Sequence, residues 1–156
     1  MLVLNSGSST LKFDLLEVGP GESSASVVRL AHGVIDCIGT DGATLALDGG
    51  DRVETAVEAV TYGQAVGEAL DALRSLYTGE IEAVGHRVVY GGDRFVAPTL
   101  LDDRVVAALA DLSDLAPLHN PPAVKVIHAA RDALGARMPE VREAEPMSDL
   151  AIELFS

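Results

Sequence analysis

Lysine is scarce in this chain: there are two, Lys12 and Lys125, and 11 basic residues stand against 24 acidic ones, for a formal net charge of −13. That balance argues against binding along a nucleic-acid backbone, which needs a basic patch. The single cysteine, Cys37, cannot close an intramolecular disulfide and has no CxxC partner. It reads as a buried small apolar residue rather than a nucleophile. No apolar run approaches the ~18 residues of a membrane span. No basic segment precedes the first apolar residues, so no secretory signal is read, and a cytoplasmic location is expected. The phosphate-loop pattern GxxxxGKS/T does not occur. His32 has no second histidine or cysteine at metal spacing and reads as structural.

What remains is a chain of 156 residues, enough for one domain with a real core. Its 48% apolar content excludes a disordered chain. The organising stretch is residues 2–18, LVLNSGSSTLKFDLLEV. Two apolar runs flank the polar turn Ser6-Gly7-Ser8-Ser9-Thr10, and Leu11, Phe13 and Leu15 alternate with Lys12 and Asp14. This predicts a β-hairpin with Lys12 and Asp14 on the face opposite the apolar residues. Gly7 lets the backbone turn tightly, and successive N–H groups in such a turn can cradle phosphate oxygens. Asn5 and the hydroxyls suit the water shell that Mg²⁺ retains, and Lys12 suits phosphate charge. The competing reading is an ordinary hairpin tip, since Ser, Gly and Asn favour turns anywhere.

A third strand is expected over 27–35 and a fourth over 44–47, separated by Gly/Asp turns, as in an antiparallel meander. Residues 61–77 then change to helical spacing, with Thr61 and Gln64 as a capping box. Residues 81–90, IEAVGHRVVY, read as a strand running into Gly91-Gly92-Asp93-Arg94-Phe95. Arg87 in that apolar strand needs a partner, and its fork suits a carboxylate or phosphate; a structural ion pair is the alternative. Arg94 reads as exposed. Residues 102–112 read as a helix. A rigid connection follows, with Asn120 as the N-cap and Pro121 as the first helical position of a further helix stopped by Gly135. His119 either faces a cleft or makes a capping contact, and His128 reads as a surface residue. Met147, Leu150, Ala151, Leu154 and Phe155 fall on one helical face.

Three stretches in order, NSGSSTLKF, VGHRVVYGGDRF and LAPLHNPPAV, together resemble the signatures of the acetate kinase family of acyl kinases. The resemblance implies an α/β fold, a ribonuclease H-like mixed sheet with flanking helices as in the actin/hexokinase-like N-terminal domain. It also implies phosphorylation of a short carboxylate, acetate or propionate, with ATP and Mg²⁺, and a homodimer. By motif position, Asn5 matches the asparagine at the magnesium site. Lys12, Ser8 and Thr10 match the nucleotide-phosphate signature, with Thr10 replacing the usual serine. Arg87 matches the arginine that holds the substrate carboxylate, and His119 the histidine near the cleft. Val88 and Val89 suit a small methyl-bearing acid. Tyr90 departs from the family's usual histidine.

On the same resemblance, residues 1–156 are one truncated N-terminal domain with a divergent tail over 142–156. The family's FDTAFH-type motif, whose aspartate is catalytic, has no counterpart among these residues, and the second domain is absent from them. The expectation is half of a phosphoryl-transfer clamp, poorly active alone. The alternatives are a non-catalytic remnant or interaction module, and one half of a split acyl kinase.

Overall fold

The computed structural model describes residues 1–19 and 26–143. The helix expected in the region 147–155 lies outside them, as does most of the turn after the hairpin. Among the described residues the fold is an eight-stranded mixed sheet with helices on one face. The strands are β1 (Leu2–Ser6), β2 (Leu11–Gly19), β3 (Ser26–Asp36), β4 (Thr44–Asp48), β5 (Arg52–Ala56), β6 (Val84–Arg87), β7 (Thr99–Leu100) and β8 (Glu140–Glu143), in spatial order β5-β4-β3-β2-β1-β6-β8-β7. The helices are α1 (Tyr62–Leu76), α2 (Asp103–Asp111) and α3 (Asn120–Leu134).

β1 to β4 form the expected antiparallel meander, and β5 adds a further antiparallel strand to it. β6 and β8 continue the sheet parallel to β1, and β7 closes it antiparallel to β8. The alternation in β2 behaves as read: Leu11, Phe13 and Leu15 are buried and Lys12 is exposed. With Leu2, Leu4, Ile35 and Val84 they form the main core beneath α1 and α3. α1 starts at the capping box, where the Gln64 N–H donates to Thr61 Oγ1 at 3.2 Å and the Thr61 N–H donates to Gln64 Oε1 at 3.0 Å. α3 ends at Gly135, whose φ of 97° opens a conformation that side chains disfavour. A second core cluster joins Val88, Leu101, Val106, Leu109, Ala123 and Ile127 between α2 and α3.

Gly33 is where β3 makes room for an aromatic ring. A Cβ there would lie 2.1 Å from Cζ of the fully buried Phe13. Gly33→Ala is therefore expected to destabilise by about 1–3 kcal/mol through overpacking, read as a lower thermal midpoint with the same unfolded baseline.

Three expectations need correction, and one strand of the meander was not anticipated. The strand expected over 81–90 is only β6, Val84–Arg87. Val88 turns into the second core cluster, and its carbonyl accepts from Arg142 Nη2 at 2.9 Å. β5, wholly exposed, has no apolar alternation to announce it. Cys37 is exposed rather than buried, in a turn with a φ of 57°. Asn120 is not the N-cap of α3: His119 takes that position without a side-chain capping bond. Asn120 is instead fully buried, and its Nδ2 donates to the Leu109 carbonyl at 3.2 Å, tying α3 to α2.

Candidate functional site

Strand register assembles the site. Asn5 on β1 stands opposite Lys12 on antiparallel β2 and opposite Arg87 on parallel β6. Residues in register on neighbouring strands project to the same face. Lys12, Asn5 and Arg87 therefore form a row across three strands, on the face away from α1 and α3. At the usual strand spacing the row is about 10 Å long. It lies at the carboxyl end of β1 and β6. Lys12 is exposed, while Asn5 and Arg87 are half-buried. Residues from separate motifs thus meet because β1 pairs with both neighbours.

The turn from Ser6 to Thr10 crosses the same edge. The Gly7 N–H donates to the Thr10 carbonyl at 2.8 Å. The Tyr62 hydroxyl, at the start of α1, donates to the Gly7 carbonyl. The Ser9 carbonyl accepts from the Ile38 N–H at 2.9 Å, after β3. Ser8 and Ser9 are exposed and Thr10 is half-buried. Gly7 has no positive φ, and a Cβ there would sit 2.5 Å from Thr10 Oγ1, so a side chain at this position would displace the Thr10 hydroxyl. The turn is thus a small, fixed cradle rich in hydroxyls.

His119 shares this edge but not this face. Arg131, near the end of α3, reaches Glu140 at the start of β8, so α3 runs antiparallel to β6 and β8. Its amino end, with exposed His119, lies toward the carboxyl end of those strands, on the helix-covered side. His32 is structural as read, with Nδ1 at 2.9 Å from Asp14 Oδ1. His128 and Arg94 are exposed.

Two supports escaped the sequence reading. Arg142 on β8 is buried, and its guanidinium donates to the carbonyls of Val88 at 2.9 Å and Phe95 at 2.7 Å. It thereby holds the glycine loop that follows Arg87. Next to it, His86 Nε2 lies 3.1 Å from Glu140 Oε1, and Arg131 Nε donates to Glu140 Oε2 at 2.5 Å. Burial holds the His86 pKa below its ordinary value. Burial alone would raise that of Glu140, but bonds from His86 and Arg131 outweigh it and hold the carboxylate below its usual range. This cluster locks β6, β8 and α3 together beneath the row. The signal for both supports was weak, because buried charges on β8 look like a solvated tail.

An ammonium, a guanidinium, an amide and a hydroxyl-lined turn on one edge suit a polyanion and a carboxylate together. Among the described residues, no group of three or more His, Cys, Asp or Glu could cage a metal ion. The neutral donors fit a Mg²⁺ that keeps its water shell and rides on phosphates, as Mg²⁺ usually does. No described helix is long and apolar enough to cross a membrane.

A model of the Acetokinase family matches residues 1–142. The acetate kinase of Deinococcus radiodurans is 43% identical over 142 residues, spanning 90% of this chain and 34% of that protein. The crystal structure of Porphyromonas gingivalis acetate kinase superposes with a TM-score of 0.81 at 33% identity, over 90% of this chain and 36% of that one. A propionate kinase from Francisella tularensis gives a TM-score of 0.77 at 28% identity, over 90% of this chain and 35% of that one. The chain spans about a third of the length of the curated relatives it matches.

Proposed function

Since the chain belongs to the acetokinase family, we propose that residues 1–156 form one domain, divergent in sequence over 142–156, and that its edge row is the phosphate- and carboxylate-holding side of an acyl kinase site. The reaction is ATP plus acetate, or a near homologue, giving ADP and acetyl phosphate. A carboxylate oxygen attacks the γ-phosphorus, the bond to the β,γ-bridging oxygen breaks, and the electron pair leaves on ADP. The observation that carries this reading is the register row Lys12–Asn5–Arg87 beside the turn of Ser8 and Thr10.

Phosphoryl transfer depends mainly on positioning and on stabilising charge over the transferring group. Arg87 grips the acceptor carboxylate through its planar fork and aims one oxygen at phosphorus. Lys12 offsets charge on the nucleotide phosphates, while Ser8, Thr10 and the turn's backbone hold their oxygens. Asn5 orients water around Mg²⁺, which supplies charge neutralisation on the phosphates when bound. His119, on the neighbouring helix end, is a further donor toward the cleft. Of the two valines after Arg87, Val88 is buried in the core and Val89 is half exposed, so Val89 is the one assigned to the acid's methyl group. A pocket wall of this kind separates acids differing by one methylene by only ~1–3 kcal/mol.

These residues bind and orient from one side, and none of the 156 carries the family's FDTAFH-type aspartate. The expected behaviour of the purified 156-residue chain is therefore binding without turnover. Isothermal titration with MgADP should give weak saturable binding that Lys12→Ala reduces. Trapping with hydroxylamine, in the presence of MgATP and acetate, should give no hydroxamate above background. Hydroxamate formation that Arg87→Ala abolishes would show that this side alone suffices for catalysis.

A further inference from the structure

We propose that Tyr62 is a positioning residue for the phosphate-holding turn, acting through the hydrogen bond from its hydroxyl to the Gly7 carbonyl. The inference rests on the functional reading above and assigns a residue to it from outside the three motifs.

Tyr62 is the first residue of α1, and the Thr61–Gln64 capping box fixes where that helix begins. Its half-buried phenol spans 55 positions of sequence to reach Gly7. A trans peptide unit is planar, with C=O and N–H pointing in opposite directions. Drawing the Gly7 carbonyl toward Tyr62 therefore turns the N–H of Ser8, in the same peptide unit, away from α1. A hydrogen bond accepted by a carbonyl also polarises its peptide unit and strengthens the opposite N–H as a donor. Tyr62 thus sets both the direction and the strength of one N–H of the cradle. The Ile38 N–H likewise holds the Ser9 carbonyl, so the turn is oriented before any phosphate arrives. Burial raises the Tyr62 pKa, which keeps the phenol a donor through neutral pH.

The test compares Tyr62→Phe with the wild-type chain by calorimetric titration of MgADP and of acetyl phosphate, together with the amide proton shift of Ser8 in NMR spectra. MgADP affinity should fall about three- to tenfold, as expected for one lost hydrogen bond. The Ser8 amide should move upfield without ligand, and the affinity for acetyl phosphate should change by less than twofold. Asp102→Ala loosens the start of a different helix, α2, where Asp102 caps the Val105 N–H, and leaves Tyr62 in place, so it should leave MgADP affinity unchanged. Equal MgADP affinity in wild type and Tyr62→Phe overturns the inference, as does an equal loss in Asp102→Ala, which would mark general loosening. No MgADP binding by the wild-type chain overturns the functional reading and the inference with it.

Discussion

Arg87→Ala is expected to cost the chain about 10- to 100-fold in affinity for acetyl phosphate, the range set by losing a charged, two-pronged hydrogen bond. Arg87 ends β6 in register with Asn5, so its backbone is fixed by the sheet and only the side chain changes. Arg87→Lys should recover little of the loss, because an ammonium keeps the charge without the fork. MgADP affinity should fall less than with Lys12→Ala, since the proposed place of Arg87 is the acceptor end of the row. Titration of both ligands against the three variants, with thermal unfolding as a check on folding, separates the two ends. An unchanged acetyl phosphate affinity in Arg87→Ala would remove Arg87 from the acceptor role.

The largest expected effect on stability is at Glu140. Its carboxylate is 3% exposed and lies between His86, 2% exposed, and Arg131. Glu140→Ala takes away the partner of His86 Nε2 and one of the partners of Arg131, which keeps Asp103 and the Leu101 carbonyl. It should cost about 3 kcal/mol, the lower end for breaking a buried pair, a large share of the ~5–15 kcal/mol that holds a domain together. Glu140→Gln keeps the shape and one acceptor and should cost less. The same cluster gives a pH dependence with a defined sign. The folded pKa of His86 is lowered, so the fold needs the neutral ring; the unfolded chain gains protons on it as pH falls below about 6.5, and stability declines from there. The folded pKa of Glu140 is also lowered, so its contribution is complete above the ordinary carboxylate range and is lost as pH falls through the folded value. Both groups weaken the fold on acidification. Urea midpoints between pH 7.5 and pH 4 should fall steadily, and His86→Gln should flatten the upper part of that slope. A wild-type midpoint that is flat over this span would contradict the assignment.

Much of this was legible in the sequence where one local signal was enough. The alternation in 11–15 and the turn before it determine the hairpin. The Thr61–Gln64 spacing marks the start of α1, because both halves of a capping box lie within one turn. The proposed roles of Asn5, Lys12 and Arg87 came from motifs, but their alignment did not, because register across β1 depends on pairing between distant segments. β5, β7 and β8 were not legible for separate reasons. β5 buries nothing. β7 has two residues. β8 buries Glu140 and Arg142, whose charges are satisfied only by groups far away in sequence. Cys37 was misread because composition says where cysteine usually sits, while this one occupies a turn. Tyr62 carries no motif at all, since a hydroxyl bonded to a distant carbonyl leaves no trace in spacing.

The position of β1 also bears on the order of assembly. On one side it belongs to a meander whose neighbours in space are neighbours in sequence; on the other it waits for β6 and β8, which return only after long excursions of the chain. Contacts between distant segments form more slowly than local ones. The expected sequence of events begins with the hairpin, so Asn5 and Lys12 come to face each other early. Arg87 arrives when the parallel strands dock, and the clasp of Glu140 secures it. A folding intermediate of this chain would therefore already display the proposed phosphate turn while lacking the proposed carboxylate grip, and on that reading the capacity to hold both ligands at once would be acquired in the final step.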